Sequence, residues 1–163
     1  MTDRLLAERL QPSLLDRLTD NAPDNGTDGD TSRTIDLARL REIVHRDLSW
    51  LLNTANIETE HDLEGHPHVA RSVLNYGLPG LSGSIRTRNR ALAIQRSIHR
   101  AIETFEPRIL PGTLEVAIRT EEPGLDTFIS FDIRGELWAE PVPVGFYLRT
   151  ALDVTTGAIT VNR

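Results

Sequence analysis

Neither cysteine nor lysine occurs anywhere in the 163 residues, and aromatic side chains make up only 5% of them. Without a thiol the chain has no disulfide, thiolate zinc site, iron–sulfur cluster or cysteine nucleophile. A cysteine-free composition also suits a reducing cytoplasm. Without lysine, Schiff-base chemistry, pyridoxal attachment and a Walker-type phosphate lysine are excluded as well. Long hydrophobic runs are missing too, since no apolar stretch approaches the roughly 20 residues needed to cross a bilayer. Asp3, Arg4, Glu8, Arg9, Asp16 and Arg17 interrupt the first 18 residues, so no signal-peptide core is expected there. The chain reads as cytoplasmic, with no direct membrane insertion.

What is present is ordinary globular material, 39% hydrophobic and 26% charged, enough for one domain with a tail. All 18 basic residues are arginine, so each basic contact can be a planar, bidentate fork. The net charge of −6 is unevenly spread. Residues 1–65 hold 7 Arg against 14 acids, residues 66–112 hold 7 against 2, and residues 113–163 hold 4 against 8. The middle segment is thus a basic island in an acidic chain. An acidic whole with few aromatics argues against a surface that tracks phosphates, and no nucleic acid partner is expected.

Leu10, Leu14, Leu15 and Leu18, with Leu5 and Leu6 before them, recur at helical spacing around Pro12. Residues 1–19 therefore read as an amphipathic hook, with a short helix over 12–19 lying either on a partner or on its own domain. Residues 20–33 are a linker rich in Gly, Asp, Asn and Thr, and residues 34–163 are the domain proper. A helix is predicted over 34–53, with Leu37, Leu40, Val44, Leu48, Leu51 and Leu52 on one face and Asp36 in its first turn. Residues 55–67 read as a polar loop, and residues 69–76 as a short helix stopped by Gly77 and Pro79. A second long helix over 85–105 buries Leu92, Ile94, Ile98, Ala101, Ile102 and Phe105. It carries Arg86, Arg88, Arg90, Arg96 and Arg100 on its other faces, and Pro107 ends it.

After Gly112 the period changes to two. Leu114, Val116 and Ile118, then Ile129, Phe131 and Ile133, then Phe146, Leu148, Thr150 and Leu152 alternate with more polar neighbours, and a last strand follows over 158–162. The fold class is α+β: a small antiparallel sheet in the C-terminal half, covered on one face by two main helices from the N-terminal half. The closing hairpin is expected to leave an edge strand with free N–H and C=O groups.

Candidate chemistry is thin. His61, His66 and His68 lie among acids, but Pro67 disrupts a regular placement and the spacing fits no zinc pattern, so a solvated loop is the reading and no metal is assigned. Glu103, Glu106 and Glu115 would be the carboxylates for glycoside hydrolysis, which needs two at fixed separation, yet nothing places any pair in one pocket. No GxSxG-type nucleophile motif occurs. The reading assigns no cofactor and no catalytic residue. Glu106-Pro107-Arg108 says more, because a rigid proline closes the basic helix between two opposite charges able to form charge-assisted pairs.

Several blocks, in order, resemble one family. They are residues 12–18 (Pro-Ser-Leu-Leu-Asp-Arg-Leu), 46–54 (Arg-Asp-Leu-Ser-Trp-Leu-Leu-Asn-Thr), 72–79 (Ser-Val-Leu-Asn-Tyr-Gly-Leu-Pro), 102–108 (Ile-Glu-Thr-Phe-Glu-Pro-Arg) and the closing strands over 148–161. Together they resemble the TssE proteins of type VI secretion and the gene 25-like baseplate wedge proteins of contractile-tailed phages. One departure is Gly80, where the pattern has an acidic residue. The resemblance implies a structural subunit rather than an enzyme. It would sit in a baseplate docked at the inner face of the cytoplasmic membrane, contact TssF, TssG and TssK, and provide the platform on which the TssB/TssC sheath polymerises; the free sheet edge makes strand pairing the expected means. Its Glu-Pro-Arg motif carries over to Glu106, Pro107 and Arg108 as partner-binding residues. Two other classes stand beside it, a lysozyme-like peptidoglycan hydrolase and a generic protein-interaction adaptor.

Overall fold

A computed structural model describes residues 12–19, 23–24, 35–80, 88–119, 128–139 and 142–162 of the chain. Within the hook, α1 spans Leu14–Leu18 and is opened by Ser13, whose hydroxyl accepts the Asp16 N–H. It is too short to hold together alone, and it buries none of its residues. Leu5, Leu6 and Leu10, and most of the linker, lie outside the described residues.

Helix α2 spans Leu37–Leu52 and buries Leu40, Ile43, Val44, Leu48, Leu51 and Leu52. Asp36 is not in its first turn, as its charge suggested, but one position earlier. There its carboxylate accepts the Arg39 N–H at 2.7 Å and acts as the N-cap.

Residues 67–76 do not form a single helix. Pro67 opens a one-turn helix, α3 (Pro67–Ala70), at the position where a missing N–H is harmless. Ser72 then starts a 3-10 turn over Val73–Asn75. The break is fixed by Asn75, which is buried. Its side chain donates to the Ala70 carbonyl (3.0 Å) and accepts the Glu58 N–H (3.3 Å) from a second 3-10 turn, Ile57–Thr59, within the expected loop. The chain then passes Gly77 into a short parallel bridge between Ala55 and Leu78. At Gly80 the N–H donates to the Thr59 hydroxyl at 2.8 Å, and a Cβ there would stand 3.1 Å from the Thr59 methyl.

The second long helix, α4, spans Arg88–Phe105, with residues 85–87 outside the described residues. Ala91, Ile94, Ile98, Ala101 and Ile102 are buried. Leu92, expected on the same stripe, is 40% exposed, because one residue beyond Ala91 turns it about 100° away from the core.

Strands β1 (Glu115–Arg119), β2 (Phe128–Leu137), β3 (Val144–Asp153) and β4 (Ile159–Asn162) form one antiparallel meander in sequence order. Ile133 faces Leu148 and Phe131 faces Thr150 across β2 and β3. These inner residues join Leu48, Leu52, Ile98 and Ile102 in a single core, so α2 and α4 cover one face of the sheet. The opposite face is polar. Tyr147 donates its hydroxyl to Asp132 at 2.7 Å, and the Arg134 guanidinium lies 5.4 Å from the Tyr147 ring centre. Of the two outer strands, β4 is not bare at Ile159. The Asn53 side chain, at the end of α2, accepts the Ile159 N–H at 2.9 Å and donates to the Ile159 carbonyl at 2.8 Å.

Candidate functional site

Helix α4 keeps its hydrogen-bond pattern one residue past Phe105, with the Glu106 N–H on the Ile102 carbonyl at 2.9 Å. Pro107 stops it. The chain is then sewn to the end of β2: Leu110 N–H to the Glu136 carbonyl at 2.8 Å, and Trp138 N–H to the Arg108 carbonyl at 2.7 Å. Glu106-Pro107-Arg108 is therefore a rigid turn held from both sides.

Glu106 points inward and is 4% exposed. One of its oxygens accepts the Arg108 Nε at 2.6 Å and the Arg108 backbone N–H at 3.1 Å, and the other accepts Arg108 Nη2. The same Nη2 also reaches Asp47 on α2 at 2.7 Å. Asp47 takes two further bonds from Arg46, at 2.7 and 2.9 Å, and Arg46 reaches Asp16 of α1 at 2.6 Å. Five side chains of alternating sign, Asp16, Arg46, Asp47, Arg108 and Glu106, thus tie the hook, α2 and the turn into one ionic chain. Burial alone would lower the pKa of Arg108, but the bonds and charge of Glu106 and then Asp47 outweigh it, and the guanidinium is held firmly charged.

The hook is accordingly folded back on its own domain, through charge rather than through its leucines. Leu14, Leu15 and Leu18 stay 70%, 49% and 75% exposed. Between hook, α2 and turn lies an open cleft of about 550 Å³, lined among others by Leu15, Trp50, Tyr76, Phe105, Pro107 and Trp138. Tyr76 meets Phe105 edge-on with centroids 5.4 Å apart, and the Arg46 guanidinium lies 4.9 Å from the Trp50 ring centre. Burial, followed by the charges of Asp47 and Glu106, pushes the Tyr76 phenol up, so it stays protonated under the cleft. Trp50 and Trp138 remain about half exposed.

Asp16 gives the hook a pH dependence. The hydrogen bond from Arg46 is the largest influence on its carboxyl and, with the Ser13 bond, outweighs burial to hold it below the usual carboxylate range. A carboxylate lowered on folding contributes stability above its unfolded pKa and loses it as pH falls through the folded value. The hook is expected to stay closed at neutral pH and to release only below about pH 4. The Trp50 indole NMR signal should follow that release, and an Asp16→Asn variant should lack the titration. An unchanged titration in the variant would assign the switch to another group.

The other sequence candidates are not gathered here. Glu103 pairs with His99 on the surface of α4 at 3.7 Å, and Glu115 is exposed on β1. His61, His66 and His68 are all exposed, and no group of three metal-ligating side chains forms among the described residues. Sequence reasoning singled out Glu106 and Arg108 but missed Asp16, Arg46 and Asp47, whose partners lie 30 and 61 residues away.

A family model described as baseplate wedge protein gp25 matches residues 38–142. The match takes in α2, the turn and the first two strands, and stops before β3 and β4. No curated protein and no solved structure matches the chain.

Proposed function

From the fact that this chain belongs to the gp25 baseplate wedge family, we propose that it is the TssE-type baseplate subunit of a type VI secretion machine. Baseplate membership is the family's contribution, and the machine, its partners and the contacts are our reading. The observation that carries it is the rigid Glu106-Pro107-Arg108 turn beside an aromatic cleft. A surface held from two sides and rimmed by half-exposed Trp50 and Trp138 loses little freedom on binding, which is what a docking face requires.

In this reading the turn and cleft dock onto the wedge formed by TssF, TssG and TssK, at the cytoplasmic face of the inner membrane. Among the described residues no helix is long and apolar enough to cross that membrane. The exposed Arg96 and Arg100 on α4 add a basic flank. The sheet edge then templates the first TssB/TssC ring by strand pairing. In this reading the subunit works by contact, and the pairing of both Glu106 oxygens with Arg108 supports a structural role for that carboxylate.

Glu106 is a poor probe of docking, because it is buried and paired with Arg108, so its loss is expected to destabilise the domain. Pro107 and Trp138 are better ones. Trp138→Ala should weaken co-purification of TssF, TssG and TssK by about 2 kcal/mol, or roughly 30-fold in affinity, with an unchanged melting temperature. Undiminished capture would sink this docking face, and capture of unrelated proteins instead would favour a generic adaptor.

A further inference from the structure

We propose that Asn53 is a displaceable place-holder on the outer edge of β4, occupying the position that the backbone of an incoming extended strand takes. The inference rests on the strand-templating reading and adds a control to it.

β4 is an outer strand of the meander, bonded to β3 on one side with Ile159 opposite Leu152 and Val161 opposite Thr150. The Ile159 N–H and C=O point off the sheet and both end on Asn53. A primary amide carries the same donor and acceptor as a peptide unit. In an antiparallel hydrogen-bonded pair, one residue accepts its opposite's N–H and donates to its C=O, and Asn53 does both for Ile159. His45 of α2 meets the next outward carbonyl, that of Val161, at 3.1 Å. Helix α2 thus presents a row of side chains in place of a fifth strand.

Two features make this plug exchangeable rather than permanent. Asn53 is exposed, so solvent reaches it and little packing holds it in place. Its Nδ2 also bonds the Ser49 carbonyl at 2.9 Å, so on swinging away it keeps one partner. An incoming strand restores to Ile159 the two bonds that Asn53 gives up, so the exchange is close to neutral in hydrogen bonds. Selection then falls on the strand's side chains, because cross-strand neighbours share a face. The residue placed opposite Ile159 points toward the core side, where Ile159 is 4% exposed. The fitting occupant is an extended sheath segment with an apolar residue at that register. At the other edge, Gln95 of α4 donates to the Val116 carbonyl of β1 at 2.5 Å.

An uncovered edge pairs with whatever strand it meets, including a second copy of the same chain, so self-association reads the plug without needing a sheath. In sedimentation of the full chain, Asn53→Ala is expected to associate about ten-fold more tightly than the unsubstituted protein. Adding Val161→Pro, which removes an outward N–H and leaves the β3 pairing intact, should return the variant to its starting state. The Ile159 amide should also exchange about ten-fold faster in Asn53→Ala. Association and exchange unchanged in Asn53→Ala would overturn the place-holder. In a sheath-seeding assay with purified TssB and TssC, Asn53→Ala should seed at lower sheath concentration than the unsubstituted subunit. Equal seeding by the two also overturns it. Failure of both to seed counts against strand templating, while the association result still decides the place-holder.

Discussion

Gly77→Ala is expected to cost about 4 kcal/mol of stability, a large share of the 5–15 kcal/mol that holds a domain folded. Gly77 has φ +118°, a region that side-chain-bearing residues rarely enter, and a Cβ built on it would stand 2.2 Å from the Thr54 carbonyl oxygen. That oxygen cannot retreat, because it accepts the Leu78 N–H at 2.8 Å in the bridge that seats Leu78 in the core. Backbone strain and a backbone clash therefore add. Thermal unfolding should fall by about 10 °C, at roughly 2–4 °C per kcal/mol for a chain of this size. Gly112→Ala is the control. Gly112 also has positive φ (+79°), but nothing lies within 4 Å of its missing Cβ, so only the conformational cost of about 1 kcal/mol remains. Similar losses at both positions would show that the Thr54 contact relaxes freely.

Removing the Glu106 carboxylate is expected to cost about 3 kcal/mol, near the lower end for breaking a buried ion pair because Arg108 keeps some solvent and a second acceptor. Glu106→Ala leaves the guanidinium, whose side chain is 25% exposed, with Asp47 as its remaining carboxylate, and strips the acceptor from the Arg108 backbone N–H. Denaturant unfolding of Glu106→Ala, Arg108→Ala and the double variant should reveal a coupling of about 2 kcal/mol. Additive losses would mean that the pair is not a unit. A Glu106→Ala protein of undiminished stability that fails to join the baseplate would return the residue to direct partner contact.

These two positions also show what a sequence can and cannot carry. The stripes of α2 and α4 and the period-two strands were legible because each is a local, repeated pattern that burial reinforces. Leu92 was misplaced because it borders the stripe, where period alone does not separate a core edge from a wet shoulder. The break between α3 and the turn at Val73 depends on Asn75 reaching Glu58 and Ala70, a tertiary choice that overrides a short apolar run. Glu106 and Arg108 could be paired by eye, being two residues apart. Their extension through Asp47 and Arg46 to Asp16 could not, because a charge does not announce which distant charge it meets. Asn53 reads as an ordinary helix-ending residue, and only the fold brings Ile159 to it.

The bond between Asn53 and Ile159 joins residues 106 positions apart. During synthesis at roughly 5–20 residues per second, α2 is complete roughly 5–20 s before β4 exists to meet it. Through that interval Leu40, Ile43, Val44, Leu48, Leu51 and Leu52 have no complete sheet to cover them. Nascent chains of this protein are therefore most open to chaperone capture or to aggregation after α2 has emerged and before the meander closes.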